Sequence, residues 1–155
     1  GLPAIADDSG LCVDALGGAP GVISSHYAPL PARVGARLER EALRAAQDAA
    51  NNRRLLAELA ALGEGADRRA AFVCTLVALR HAEDPEPLVA QGRWVGEIAR
   101  EMAGEGGFGY DPLMHIPALG ASVAELDAAT KNGLSHRALA AAQMKRLLAQ
   151  VWQLG

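Results

Sequence analysis

Scarcity is the first thing this 155-residue sequence shows. It holds two cysteines, Cys12 and Cys74, far apart and without paired spacing. That fits buried thiols in a reducing compartment better than a disulfide framework or a zinc site. No apolar run approaches the roughly 20 residues of a membrane-spanning helix. A basic surplus is missing as well. The net charge of −3 and pI near 5.8 leave no footprint for nucleic acid or for polybasic membrane attachment. The opening Gly1-Leu2-Pro3-Ala4-Ile5-Ala6 lacks the basic, apolar and small-residue order of a secretory signal. Lysine is nearly absent: Lys131 and Lys145 stand against thirteen arginines, a bias of GC-rich coding that makes either lysine conspicuous. Aromatics are equally rare, with two each of Phe, Tyr and Trp, so Phe108 and Tyr110 in one short stretch draw attention.

What is present is enough for a core. Half the residues are apolar and 21% are charged, which excludes disorder along the whole chain. Pro3 leads into Ala4–Ala6, a short buried-strand pattern that ends at Asp7-Asp8-Ser9-Gly10. Leu11–Leu16 reads as a second strand, closed by the turn formers Gly17 to Gly21. A short helical turn is expected over Val22–Tyr27. A long helical pattern runs from about Gly35 to Leu62, with Leu55, Leu56, Leu59 and Leu62 on one face. Ala70–Leu79 has the composition of a central strand, and Leu88–Ile98 that of its hairpin partner. The glycines of the latter point to bulges or close backbone approach. After the glycine-rich loop Gly104–Pro112 and a short polar stretch, Ser135–Leu154 carries a helical apolar stripe of Ala140, Met144, Leu147, Leu148, Val151 and Leu154. One mixed α/β unit is the economical reading.

Three segments could carry chemistry. Asp7 and Asp8 are adjacent, so an extended backbone sends them to opposite faces and at most one enters a given cleft. A carboxylate there could hold a hard cation or take a proton from water. The tetrapeptide also reads as a solvated turn, and Asp8-Ser9-Gly10 matches the Asp-Ser/Thr-Gly signature of aspartic proteases. In Gly106-Gly107-Phe108-Gly109-Tyr110-Asp111-Pro112, glycines allow close approach of the backbone to a ligand. An aromatic between them offers a stacking face for a base, and Asp111 before Pro112 is a positioned acceptor. The alternative is that these aromatics plug the core. In the third segment Ser135 is a candidate N-cap, which places His136 and Arg137 in the first helical turn. Basic residues have the wrong sign there unless an acceptor-rich ligand or an acid is present. Lys131, a loop earlier, could reach a phosphate. The arginines from Arg33 to Arg54, interleaved with Glu39, Glu41, Asp48 and Glu58, read as a solvated helix face.

Taken in order, Ala6-Asp7-Asp8-Ser9-Gly10-Leu11, Gly18-Ala19-Pro20-Gly21 with Tyr27-Ala28, Gly107-Phe108-Gly109-Tyr110-Asp111-Pro112, and Lys131-Asn132 with Ser135-His136-Arg137 closely resemble one family. It is the non-canonical purine nucleoside triphosphate pyrophosphatases, the inosine/xanthosine triphosphate house-cleaning enzymes. The resemblance implies a two-lobed α/β domain around an elongated mixed sheet with flanking helices. It implies Mg2+-dependent hydrolysis of dITP, ITP and XTP to the monophosphate and pyrophosphate by a cytoplasmic homodimer. By position Asp8 matches the general base and metal-associated carboxylate. Ser9, Phe108, Gly109, Tyr110, Asp111, Lys131, His136 and Arg137 match substrate contacts.

Against the family's pattern, the first strand, a Ser/Thr-x-Asn-x-x-Lys triphosphate loop and a glutamate-bearing helix have no counterpart before Gly1. Residues 1–155 therefore read as a single domain lacking its N-terminal part, with triphosphate binding and activity expected to suffer. Pro29 to Arg44 reads as an insertion. Two other readings stay open: a non-enzymatic remnant that binds a nucleobase or dimerises, and an aspartic-protease-like dimer built on Asp8.

Overall fold

The computed structural model describes residues 2–30 and 39–154. A five-stranded sheet runs in the order β1 (Ala4–Val13), β2 (Arg69–Leu79), β3 (Leu88–Ile98), β4 (Met114–Ile116), β5 (Ala121–Ser122). The helices are α1 (Arg40–Ala61), α2 (Ala128–Leu134) and α3 (His136–Val151), with 3-10 turns at Asp14–Leu16, Gly21–His26, Pro117–Leu119 and Val123–Glu125. This is the α/β class expected. Glu97 faces His115 and Ile98 faces Met114 across the antiparallel β3–β4 pair, and His115 faces Ser122 across β4–β5.

The two long central strands follow their sequence pattern. In β3 every second residue from Leu88 to Ile98 is buried and the rest are exposed, the period-two signature of a sheet with one covered face. β2 buries Ala70, Phe72, Cys74, Leu76 and Ala78 on one side; on the other Ala71 is buried and Val73, Thr75, Val77 and Leu79 are half-buried. β4 and β5, three and two residues long, are too short to leave a periodic signal in the sequence, and α2 occupies the stretch that reads as polar loop. Lys131 accordingly lies within a helix rather than a loop.

Three expectations need correction. Asp7-Asp8-Ser9-Gly10 is not a turn between two strands: β1 runs unbroken from Ala4 to Val13. Gly10 is the reason. A side chain there would strike the Gly21 carbonyl and sit 3.1 Å from the Ser24 hydroxyl. The bare glycine admits that packing, and Ser24 Oγ accepts the Leu11 amide at 2.9 Å. Tertiary contact overrides local turn propensity. Second, Ala4–Ala6 is exposed rather than buried, with Ile5 57% accessible; among the described residues β1 is an edge of the sheet, paired with β2 alone. Third, the long helix begins at Arg40. Its expected start at Gly35 and half of the expected insertion at 29–44 lie outside the described residues.

The described residues form two compact units. The first comprises 2–9, 72–94 and 128–154. Its core is Cys74, Leu76, Ala78, Leu88, Ala90, Ala140 and Met144, with Leu147, Leu148 and Trp152 packed against it. Each such large side chain contributes roughly 1.5–3 kcal/mol on burial. Gly92 lets α3 lie on β3: a Cβ there would collide with the His136 carbonyl and meet the Ala140 amide. Asp84 closes the β2–β3 connection by accepting from the Arg80 amide and guanidinium and from the Glu86 amide. Those bonds, the Arg80 side chain first, hold its carboxyl well below the usual range.

The second unit comprises 10–30, 39–71 and 95–127. Leu11, Val13, Leu55, Leu59, Leu113, Met114 and Val123 are all but fully buried there. The buried face of α1 is narrower than its leucines implied. Leu62 is exposed, and the stripe continues toward the N-terminus as Asn51 and Asn52.

Candidate functional site

The glycine-rich loop belongs to the second unit. Its first half is tied to the turn at Val123–Glu125, with the Gly106 amide donating to the Ala124 carbonyl at 3.2 Å and Ser122 Oγ to the Ala103 carbonyl at 2.7 Å. That turn is itself fixed by a capping box between Ser122 and Glu125. At the tip the two aromatics part ways. Phe108 is 57% exposed, with the Arg44 guanidinium 5.9 Å from its ring centroid. Tyr110 is 4% exposed, and its hydroxyl donates to the Ser24 carbonyl at 2.8 Å. The Phe108 ring is exposed and the Tyr110 ring is built into the core, so the expectation that these aromatics plug the core holds for Tyr110 alone. Burial drives the Tyr110 phenol far above its ordinary value.

Asp111 is buried too, and its Oδ2 accepts the Phe108 amide at 3.0 Å. The sequence placed it as an extended acceptor; it sits instead in a turn and holds the loop to itself. Gly109, at φ +60°, is bonded at both backbone groups by side chains of α1. Asp48 Oδ2 accepts its amide at 2.8 Å, and Asn52 Nδ2 donates to its carbonyl at 2.9 Å. Beneath them Asn51 donates to the Ser24 and Ser25 carbonyls and accepts the Ala28 amide. Glu58 accepts from the Tyr27 hydroxyl and pairs with Arg54 at 2.8 Å, while Arg54 lies 4.1 Å from the Tyr27 ring centroid and donates to the Tyr27 carbonyl. Burial and the Glu58 bond push the Tyr27 phenol up to about 12. The charged face of α1 is therefore only partly the solvated surface its pattern implied. Asp48, Asn52 and Glu58 all serve this loop and its support.

The remaining expected residues belong to the first unit. Asp7 and Asp8 are both exposed on β1. Asp7 Oδ2 accepts from Nε and Nη2 of Arg137 at 3.0 and 2.8 Å, and strand alternation sends Asp8 to the other face. Asp8 has no hydrogen-bond or ion-pair partner among the described residues. The buried Ser9 hydroxyl likewise has none there, an arrangement that costs about 1–3 kcal/mol when left unmet. Ser135 caps α3, its Oγ accepting the Ala138 amide at 3.2 Å. His136 and Arg137 follow in the first turn, and the His136 ring lies 5.1 Å from that of Phe72. Arg137, the cation on the wrong helix end, is balanced by Asp7. Among the described residues no group of three or more His, Cys, Asp or Glu side chains could hold a metal ion. No helix among them is long and apolar enough to cross a membrane.

A sheet flanked by helices places the chain among α/β proteins, with a glycine-framed aromatic loop in one unit and a capped basic helix start in the other. Residues 1–147 match the Ham1 family. A dITP/XTP pyrophosphatase of Leptothrix cholodnii is 68% identical over 99% of this chain and 71% of its own length. That of Methylibium petroleiphilum is 64% identical over 98% and 70%. Among solved structures, a HAM1 protein from Coxiella burnetii superposes with a TM-score of 0.83 at 41% identity, covering 97% of this chain and 68% of that one. The chain belongs to the Ham1 family, as the four motifs implied, and the aspartic-protease reading of Asp8-Ser9-Gly10 has nothing further to support it.

Proposed function

We propose that this chain hydrolyses non-canonical purine nucleoside triphosphates (dITP, ITP and XTP) to the monophosphate and pyrophosphate, clearing them from the nucleotide pool. The observation that carries the reading is the loop at Phe108–Asp111. It presents one exposed ring on a backbone bonded from three sides, in a family whose relatives bear the name dITP/XTP pyrophosphatase.

In this proposal the base stacks on Phe108. Hypoxanthine and xanthine carry an acceptor oxygen at C6 where adenine carries an amino donor. The resemblance gives His136 and Arg137 to the substrate, and donors of that kind reward a keto base and leave the amino group of adenine facing other donors, a costly pairing once buried. Lys131 and Ser9 contact the phosphates, and Tyr110 and Asp111 keep the loop in shape. Asp8 takes a proton from water as the water oxygen bonds to the α-phosphorus, and the bond from that phosphorus to the bridging oxygen breaks, releasing pyrophosphate.

The donor set does not make a resident metal cage, since no cluster of three ligands is found among the described residues. A single free carboxylate is what Mg2+ uses when phosphate oxygens and water fill its other positions, so Asp8 fits an ion that arrives with the triphosphate. When bound, Mg2+ neutralises phosphate charge. A cytoplasmic homodimer is the assembly this reading carries.

The test is pyrophosphate release from dITP, XTP and dATP with Mg2+. We expect dITP and XTP to be strongly preferred, and Asp8→Asn to lower kcat by about a hundredfold or more. Full activity in Asp8→Asn would refute the role of that carboxylate. Equal use of dATP would refute the base selection. Binding of ITP without pyrophosphate release would favour a nucleobase-binding remnant.

A further inference from the structure

We infer that one face of α1, formed by Arg44, Asp48 and Asn52, positions the loop that receives the base. The three residues are spaced four apart, so they stand in one row on the helix, and each meets the loop tip at a different point. Arg44 backs the Phe108 ring at 5.9 Å. Asp48 accepts the Gly109 amide at 2.8 Å, and Asn52 donates to the Gly109 carbonyl at 2.9 Å. Both polar groups of the residue that follows Phe108 are therefore satisfied by side chains of a distant helix. Carboxylate acceptors make the stronger class of such bonds.

Asn52 is the telling member. It is 3% exposed, its Nδ2 also donates to the Asp48 carbonyl at 2.9 Å, and its Oδ1 has no partner among the described residues. A residue kept for packing would not carry an orphan acceptor, which leucine at that place would remove. Its amide is retained for the two carbonyls it reaches. Holding the Gly109 amide fixes the peptide plane that follows Phe108, so the backbone that carries the ring is set before a base arrives and less entropy is lost on binding.

The inference rests on Phe108–Asp111 being the base loop, and the experiment separates the two. Exchange of the Gly109 amide is followed by NMR in the unmodified chain, Asp48→Ala, Asp48→Asn and Asn52→Leu. Alongside it, KM and kcat are measured for ITP, and inhibition for inorganic tripolyphosphate, which has no base. Asp48→Ala and Asn52→Leu are expected to speed Gly109 exchange and to raise KM for ITP about tenfold, with kcat within about twofold and tripolyphosphate inhibition unchanged. Asp48→Asn, which keeps an acceptor, is expected to restore most of both. Unchanged exchange in both Asp48→Ala and Asn52→Leu overturns the inference, as does parallel weakening of ITP and tripolyphosphate. If the unmodified chain does not hydrolyse ITP, the proposed function fails while the exchange data still decide whether α1 holds the loop. Should Asp48→Ala not fold, Arg44→Ala leaves the Gly109 bonds intact and is expected to raise KM about twofold to fivefold; no change there would count against the row.

Discussion

Gly109 is gripped at its amide and its carbonyl by α1 side chains, and the Tyr110 and Asp111 side chains beneath it are about 95% buried. Arg137 in the other unit is held by one carboxylate, in a pair whose side chains are 56% and 45% exposed. Both belong to the set of residues the family resemblance marks as substrate contacts, yet they are fixed by different physics. Buried hydrogen bonds are costly to break because the groups left behind cannot return to water. An exposed ion pair contributes about 0–1 kcal/mol and is screened by salt. The loop is thus built as a preformed surface, and the arginine as a group that can change partners.

The largest effect that could break this comparison lies in the first unit, in its backbone. If α3 is located by the bare backbone of Gly92 rather than by the Asp7–Arg137 pair, Gly92→Ala should be severe, because the added Cβ overlaps the His136 carbonyl. We expect a loss of about 3 kcal/mol or more, read as a lowered urea midpoint with the slope unchanged. A variant as stable as the parent would mean that α3 shifts freely, and the contrast between a firm loop and a loosely held arginine would need redrawing around the helix itself.

A smaller effect sharpens the other side. Tyr27→Phe removes the hydroxyl that donates to Glu58 and should cost about 1 kcal/mol at neutral pH. The pH dependence tells more. The folded phenol sits at about 12 against an ordinary value of 10.0. Its contribution is therefore complete below pH 10 and fades as pH rises toward 12, since the unfolded chain loses that proton first. The same Tyr27 bond, with Arg54, holds the Glu58 carboxyl below its ordinary value, so that part of the network is fully present above the ordinary carboxylate range and weakens on acidification. Stability scanned by urea from pH 9 to 12 should fall less steeply in Tyr27→Phe than in the parent. Parallel curves would place the alkaline loss elsewhere, Tyr110 being the next group to test.

The loop and its aromatic were legible in the sequence because rare residues stood together between glycines, and the order of four motifs sufficed for the family. Ser135 was legible as a cap because its chemistry is local. The central strands were legible because burial on one face imposes a period. Asp48 and Asn52 were not. One stands in a run of alternating charge that reads as surface, the other beside Asn51, and their partner is 57 to 61 residues away. The available signal was the spacing of Arg44, Asp48 and Asn52 by four, which is common enough on any helix to mean nothing until the loop is seen against it. Asp7 through Gly10 misled for a related reason: every residue favours a turn, and only the Gly21 backbone packed against Gly10 shows why the strand continues.

The smallest expected effect tests whether Arg137 is free to change partners. Asp7→Asn removes the charge that holds the guanidinium but keeps a side chain of the same shape. If the pair is a surface contact of the ordinary kind, stability should fall by less than about 1 kcal/mol, and the difference should vanish at high salt. Activity then separates two roles for Asp7. As a resting partner from which a substrate must win the arginine, its loss should lower KM for dITP by about twofold to fivefold, because that competition costs no more than the pair contributes. As a positioning residue that keeps Arg137 in line, its loss should raise KM instead, by about tenfold for a lost charge-assisted bond. The exposure of both side chains favours the first outcome, since a contact that water already shares cannot hold geometry against a competing acceptor.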